Sequence, residues 1–224
     1  ARVGDDGEIE VSGMSIFSHY HNNPDADAQS FTPDGWFRTG DIGAIDSEGW
    51  IRITGRKKEI IVTAGGKNVS PGPLEDVIRA HPLVSQAMVV GDGRPFIGAL
   101  ITLDQEALPG WLSAHGLPAE MTLEEAAANE TLLAEIASAV ATANALVSKA
   151  EQVKKWSVLT TDFTIEGGEL TPTLKVRRRE VEKRFTGVIE EMYSKIAIRR
   201  RGGAGKDARR NGRVHKDDES SVRH

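Results

Sequence analysis

Cysteine is absent from all 224 residues, so neither a disulfide framework nor cysteine-ligated zinc can contribute to this protein. That agrees with a reducing, cytoplasmic setting. Aromatic residues are scarce at 5%. No apolar run reaches the roughly 20 residues that a bilayer-crossing helix needs. The 6 histidines are scattered, without the close spacing that a metal site requires. No internal repeat and no secretory leader is read, and a start at Ala1 in place of methionine leads us to expect a piece of a longer polypeptide.

What remains is the composition of a globular protein, 39% hydrophobic and 27% charged, with material for one ordinary domain or two small ones. The net charge of −5 is unevenly spread. Residues 196–224 carry 9 Lys/Arg against 4 Asp/Glu, whereas the preceding residues carry 19 against 29. This basic end has almost no apolar side chains and cannot bury enough surface to offset its ordering entropy, so it is expected to be disordered. Its charge leaves a peripheral contact with the inner face of a membrane open. It lacks the interleaved aromatics on which bases stack, which disfavours nucleic acid.

The pattern changes along the chain. Residues 1–54 read as short strands and turns: GEIEVSG alternates, NNPDADAQSFTPDG reads as a polar loop, and WFRTGDIGAI and WIRITG form strands joined by DSEG. A second hairpin runs from Glu59 to Thr63 and on from Lys67, turning on Ala64-Gly65-Gly66. At Ser70-Pro71 a helix begins, with the hydroxyl placed to cap it and Leu74, Val77 and Ile78 on one face. His81-Pro82 ends it. Residues 84–90 and 96–103 read as paired apolar strands, 104–116 and 122–150 as helical, and 156–161 as a further strand. In the second helical stretch Leu133, Ile136, Val140 and Val147 recur near the helical period. Val181, Phe185, Val188, Ile189 and Met192 line one face of a final helix. The expected fold class is α+β: a β-rich end of a larger N-terminal domain over 1–56, a compact α+β domain over 57–195, and the tail 196–224.

Two stretches carry chemistry. The first, over 35–71, reads GWFRTGDIGAIDSEGWIRITGRKKEIIVTAGGKNVSP; the second, over 167–178, reads GGELTPTLKVRR. Asp41, beside a glycine at a strand end, can accept hydrogen bonds from two vicinal hydroxyls or can cap a turn. Arg56 can donate a rigid fork to a sugar or a phosphate, or form a surface ion pair. Lys58 reads as a solvated linker lysine. Gly65 and Gly66 lack a Cβ, which suits either a plain turn or close passage of a ligand along backbone. Lys175 follows a glycine turn and Thr-Pro-Thr. An ammonium there can neutralise charge as a carboxylate attacks phosphorus, or can simply sit on a wet helix start.

Together these stretches resemble the C-terminal third of an acyl-adenylating enzyme of the AMP-binding family, most closely a long-chain fatty acid–CoA ligase, over about 7–193. The resemblance implies an acid–thiol ligase that joins fatty acid to ATP and then passes the acyl group from AMP to CoA. It implies that Asp41, in Phe37-Arg38-Thr39-Gly40-Asp41, and Arg56 hold the AMP ribose, and that Lys58 is the hinge between two working orientations. Gly65 and Gly66, with Lys67 as a phosphate contact, would line the path of CoA. Lys175, in Leu170-Thr171-Pro172-Thr173-Leu174-Lys175, would be the catalytic lysine of the adenylation step. The ATP loop, the acyl tunnel and the acid that binds Mg2+ belong to the family's N-terminal domain, so a chain of this extent is expected to be inactive alone. Two alternatives stay open: a fatty acyl-AMP ligase that loads a carrier protein, and a stand-alone binding or regulatory module.

Two near-matches are set aside. Gly202–Lys206 would need glycine at Arg200 and a hydroxyl residue at Asp207 to make a phosphate loop. Gly91-Asp92-Gly93 meets Phe96 where a dinucleotide fingerprint has its third glycine.

Overall fold

The computed structural model describes residues 1–202, with side chains through Ser194. Its elements run β1 Arg2–Val3, β2 Glu8–Val11, α1 Pro24–Ser30, β3 Phe37–Ile45, β4 Ile51–Arg56, β5 Ile61–Val62, β6 Asn68–Val69, α2 Pro71–Arg79, β7 Val84–Val90 and β8 Ile97–Leu103. They continue with α3 Leu108–Ala114, α4 Leu123–Ala128, α5 Glu130–Asn144, β9 Val153–Leu159, α6 Arg178–Arg184 and α7 Thr186–Gly202. The protein is α+β, as expected.

Strands β1 to β4 make one antiparallel sheet in sequence order. The DSEG turn closes β3 onto β4: the Asp46 amide donates to the Trp50 carbonyl, and the Trp50 amide donates to the Asp46 side chain. This sheet has almost no core of its own. Among the described residues before 57, Ile9 is the one buried hydrophobic side chain, while Trp50, Ile51 and Ile53 of the β4 hairpin are exposed.

Everything from Ile61 onward packs differently. The sheet β7-β8-β9 has β8 at its centre, antiparallel to β7 and parallel to β9. Val89, Ile97, Ala99 and Ile101 face α2 and α5, meeting Leu74, Ile78, Leu132 and Ile136. Met88, Val90 and Leu100 face the other way, onto Val181, Ile189, Met192 and Tyr193 of α6 and α7. With a helical layer on both faces, β8 is buried along its whole length, which is why its sequence is a continuous apolar run without alternation. Gly98 sits where a Cβ would come 2.4 Å from the Met192 sulfur, so α7 lies directly against the strand.

Several expectations need correction. The stretch read as a polar loop contains α1: Asn23 accepts from the Ala26 amide, Pro24 starts the helix, and Asp25 and Asp27 lie in its first turn. The helix read over 122–150 breaks at Asn129, which ends α4 and caps α5 through the amides of Thr131 and Leu132. Leu132, Ala139 and Ala143 are buried on α5 with Ile136 and Val140, whereas Leu133 is only partly so. The final helix is two, interrupted at Phe185. Helix α7 runs to Gly202, so 196–202 is helical where disorder was expected; the rest of the tail, with the Gly202–Lys206 stretch beyond its first residue, lies outside the described residues. No helix among the described residues is long and apolar enough to cross a membrane.

Candidate functional site

Asp41 and Arg56 are cross-strand partners near the end of the β3–β4 ladder. The Arg56 Nε lies 2.9 Å from Asp41 Oδ1 in an ion pair, and its Nη1 donates to the Thr39 carbonyl at 3.4 Å. Arg56 is exposed and Asp41 half-buried. The pair therefore presents a carboxylate and spare guanidinium N–H groups side by side at an open sheet end, an arrangement that can accept from and donate to neighbouring hydroxyls. Gly40, just before Asp41, has φ +76°. That left-handed backbone favours glycine.

Lys175 emerges from a tight turn. Leu174 donates its amide to the Thr171 carbonyl at 2.8 Å, Thr171 donates to the Lys175 carbonyl at 2.9 Å, and the Lys175 amide donates to Thr171 Oγ1 at 3.1 Å. Leu174 closes the turn at φ +58°. Three residues on, Arg178 anchors the segment: its Nη2 donates to both oxygens of Glu75 at 2.6 Å, and its Nη1 donates to the Val89 carbonyl at 3.1 Å. Glu75 also accepts from the Val89 amide at 2.6 Å. Burial pushes the Glu75 carboxyl above its ordinary value, opposed by Arg178 and by that amide.

These pieces converge. A cleft of about 580 Å³ is lined by Lys175, Arg56, Arg178, Arg79, Glu59 and Gln86, among others. The Lys175 side chain is exposed at this cleft, and the buried Gln86 Oε1 has no hydrogen-bond partner. Two residues 119 apart in sequence, Arg56 and Lys175, thus face one space, with Asp41 held to Arg56.

The glycine hairpin lies elsewhere. Gly65 and Gly66 form the exposed tip between β5 and β6, with Gly66 at φ +76° and open space where its Cβ would be. The Lys67 ammonium lies 3.3 Å from Glu151. None of the three lines the cleft, which Arg56 and Lys175 share; Asp41 is not among its lining residues and is tied to it through Arg56.

Lys58 occupies the middle of a single 3-10 turn, Lys57–Glu59, between extended Arg56 and extended Ile60. Its neighbours are tied on both sides. Lys57 donates to Asp6 at 2.6 Å and Glu8 at 2.9 Å, and Glu59 lies 3.7 Å from Arg178. The hydrogen bonds it donates to Asp6 and Glu8 hold the Lys57 ammonium above its usual pKa. No side-chain partner of Lys58 occurs among the described residues.

Residues 58–197 match the AMP-binding enzyme C-terminal domain. The chain belongs to that family. A long-chain-fatty-acid–CoA ligase of Mycobacterium tuberculosis, FadD15, is 54% identical over 194 residues, covering 87% of this chain and 32% of that protein. A human long-chain-fatty-acid–CoA ligase, ACSBG1, is 35% identical, covering 84% of this chain and 28% of its own length. The chain therefore spans about a third of the curated relatives it matches. Among solved structures, the A-PCP didomain of a carboxylic acid reductase from Segniliparus rugosus, in complex with AMP, superposes with a TM-score of 0.67 at 25% identity, covering 89% of this chain and 27% of that one.

Sequence reasoning missed Glu8, Lys57, Glu75 and Arg178. Their partners are remote in sequence, and the alternation read over β2 marks its glutamates as exposed, whereas Glu8 and Glu10 are buried with Ile9. Among the described residues no cluster of three His, Asp or Glu side chains could hold a metal ion.

Proposed function

We propose that this chain is the C-terminal portion of an ATP-dependent long-chain fatty acid–CoA ligase, and that it supplies the ribose grip, the hinge and the catalytic lysine. The observation that carries this reading is the shared cleft, which faces Lys175 toward Arg56 and its partner Asp41. The 54% identity to a long-chain-fatty-acid–CoA ligase supports the substrate class.

In this reading Asp41 accepts from the ribose hydroxyls of ATP while Arg56 donates to the same sugar. The Lys175 ammonium bridges the fatty-acid carboxylate and the α-phosphate. It neutralises charge as a carboxylate oxygen bonds to phosphorus and pyrophosphate leaves. Residues 57–195 then pivot at Lys58 and bring the Gly65-Gly66 tip toward the acyl-adenylate. There the CoA sulfur bonds to the acyl carbon, its proton is released and AMP leaves. Lys67, once freed from Glu151, contacts CoA phosphate.

The division at residue 57 has support on both sides. The family match begins at 58, and the sheet before it buries only Ile9 among its described apolar side chains, as expected for the rim of a larger domain. We infer that the remaining two thirds of the polypeptide complete that domain and bind most of the ATP, the Mg2+ and the acyl chain. The isolated 224-residue chain is then inactive.

The deciding experiment is Lys175→Ala in the complete polypeptide, assayed separately for acyl-adenylate formation and for thioester formation from supplied acyl-adenylate. Adenylate formation falls about a hundredfold or more, the scale for loss of one charge-stabilising donor, and thioester formation is spared. Undiminished adenylate formation would sink the assignment of Lys175.

A further inference from the structure

Glu8 is the least expected charge in the molecule. It lies in β2 with 3% of its surface exposed, where a carboxylate is costly unless both oxygens find donors. Both do. One oxygen accepts the Gly40 amide at 2.7 Å, and the other accepts the Lys57 ammonium at 2.9 Å. Gly40 immediately precedes Asp41, and Lys57 immediately follows Arg56.

The backbone ladder is irregular close to this pair. The register between β3 and β4 shifts between Ile42 and Gly43, so regular pairing is interrupted beside Asp41. Gly40 adopts its left-handed conformation one residue before Asp41, and its amide is taken by Glu8. The two oxygens of one carboxylate keep a fixed separation. A single rigid group therefore sets the spacing between the backbone beside Asp41 and the side chain beside Arg56.

We propose that Glu8 is a positioning residue that holds Asp41 and Arg56 as a matched pair for a vicinal diol. This rests on the nucleotide reading above. Glu8 touches no ligand itself; it acts through Gly40 and Lys57. Lys57 is shared with Asp6 at 2.6 Å, so the ammonium is held from two directions and cannot follow a displaced Arg56. Glu8→Gln keeps an acceptor for Gly40 but gives up the charge that holds Lys57. Lys57→Gln releases the Arg56 side and leaves the Gly40 bond in place.

The test uses the complete polypeptide and two probes, AMP and 2′,3′-dideoxy-AMP, which lacks the diol. Binding of each is titrated calorimetrically for wild type, Glu8→Gln and Lys57→Gln, with thermal melting alongside. Wild type prefers AMP. Glu8→Gln erodes that preference by about tenfold, the scale of one charge-assisted hydrogen bond, and Lys57→Gln by less. A change in the ratio of the two affinities is what general scaffold damage would not produce, because damage weakens both nucleotides alike. Should Glu8→Gln fail to fold, the half-exposed Lys57 variant carries the test. An unaltered ratio in the folded variants, or equal weakening of both probes, overturns the proposal. A wild type that binds neither probe overturns the nucleotide reading instead, so the two failures are told apart.

Discussion

The Ser70 hydroxyl donates to the Thr54 carbonyl at 2.5 Å and makes no cap bond to the helix it precedes. It was expected to cap α2. The reason it does not lies in the helix start, Pro71-Gly72-Pro73: two of the first three residues have no N–H to satisfy. The hydroxyl is thus available to tie α2 to β4. Gly55 lies beneath it, and a Cβ there would come 2.0 Å from the Ser70 oxygen.

That contact predicts a non-additive pair. Gly55→Ala destabilises by about 1–3 kcal/mol through overpacking, and Ser70→Ala by about 1 kcal/mol through the lost hydrogen bond. In the double variant the clashing oxygen is gone and the cost falls below the sum. Urea unfolding of the four proteins measures the coupling; simple additivity would show that the two residues do not meet.

Arg178 is expected to matter more than its place in a basic run suggests. Arg178→Met leaves the Glu75 carboxylate buried without a counter-charge and costs about 3 kcal/mol or more. Adding Glu75→Gln recovers part of that loss. In the complete polypeptide, Arg178→Met also slows adenylate formation, because the segment that carries Lys175 loses its tether to α2 and β7. Wild-type stability in Arg178→Met contradicts this account.

Glu169 gives a pH signature. Its side chain is 1% exposed and paired with Arg184. Burial pushes its carboxyl up, but Arg184 and the Thr164 amide outweigh that and hold it below the ordinary 4.5. A folded-state pKa below the unfolded one adds stability that is present above about pH 4.5 and lost as pH falls through the lower folded value. Glu169→Gln is therefore less stable at neutral pH and shows a flatter acid limb below 4.5. Parallel stability curves for the two proteins would rule this out.

Proline at position 58 separates the two half-reactions. Lys58→Pro fixes φ near −65° and, on the proposed domain alternation, restricts the swing that follows adenylation. Acyl-adenylate still forms at close to the wild-type rate, while thioester formation drops. Rapid-quench measurement of each step distinguishes this from a general loss of activity, in which both steps fall together.

The packed half of the fold was legible because its signals are local. Residues 84–90 and 96–103 are apolar runs punctuated by Gly-Asp-Gly-Arg-Pro, and they became β7 and β8 with few changes. Helix α1 escaped notice because it buries none of its residues and so has no apolar period. It is supported from its N-terminus, by Asn23, Pro24 and the two aspartates. At the site, Asp41, Arg56 and Lys175 could be named from motifs, each a single residue in a recognisable setting. The residues that hold them could not. Glu8 reaches 32 and 49 residues along the chain to its partners, and Glu75 reaches 103 to Arg178. Such long-range pairs leave no trace in a local window.

The uneven distribution of core between the two halves bears on how such enzymes could be recombined. From Ile61 onward the chain encloses two apolar clusters of its own, whereas the sheet before it buries only Ile9 among its described apolar side chains. On the proposed reading, a segment exchanged between relatives would travel best if cut after Lys57, whose ammonium is tied to Asp6 and Glu8. A cut upstream of Arg56 would carry away one half of the Asp41–Arg56 pair and leave the acceptor scaffold with an orphaned aspartate.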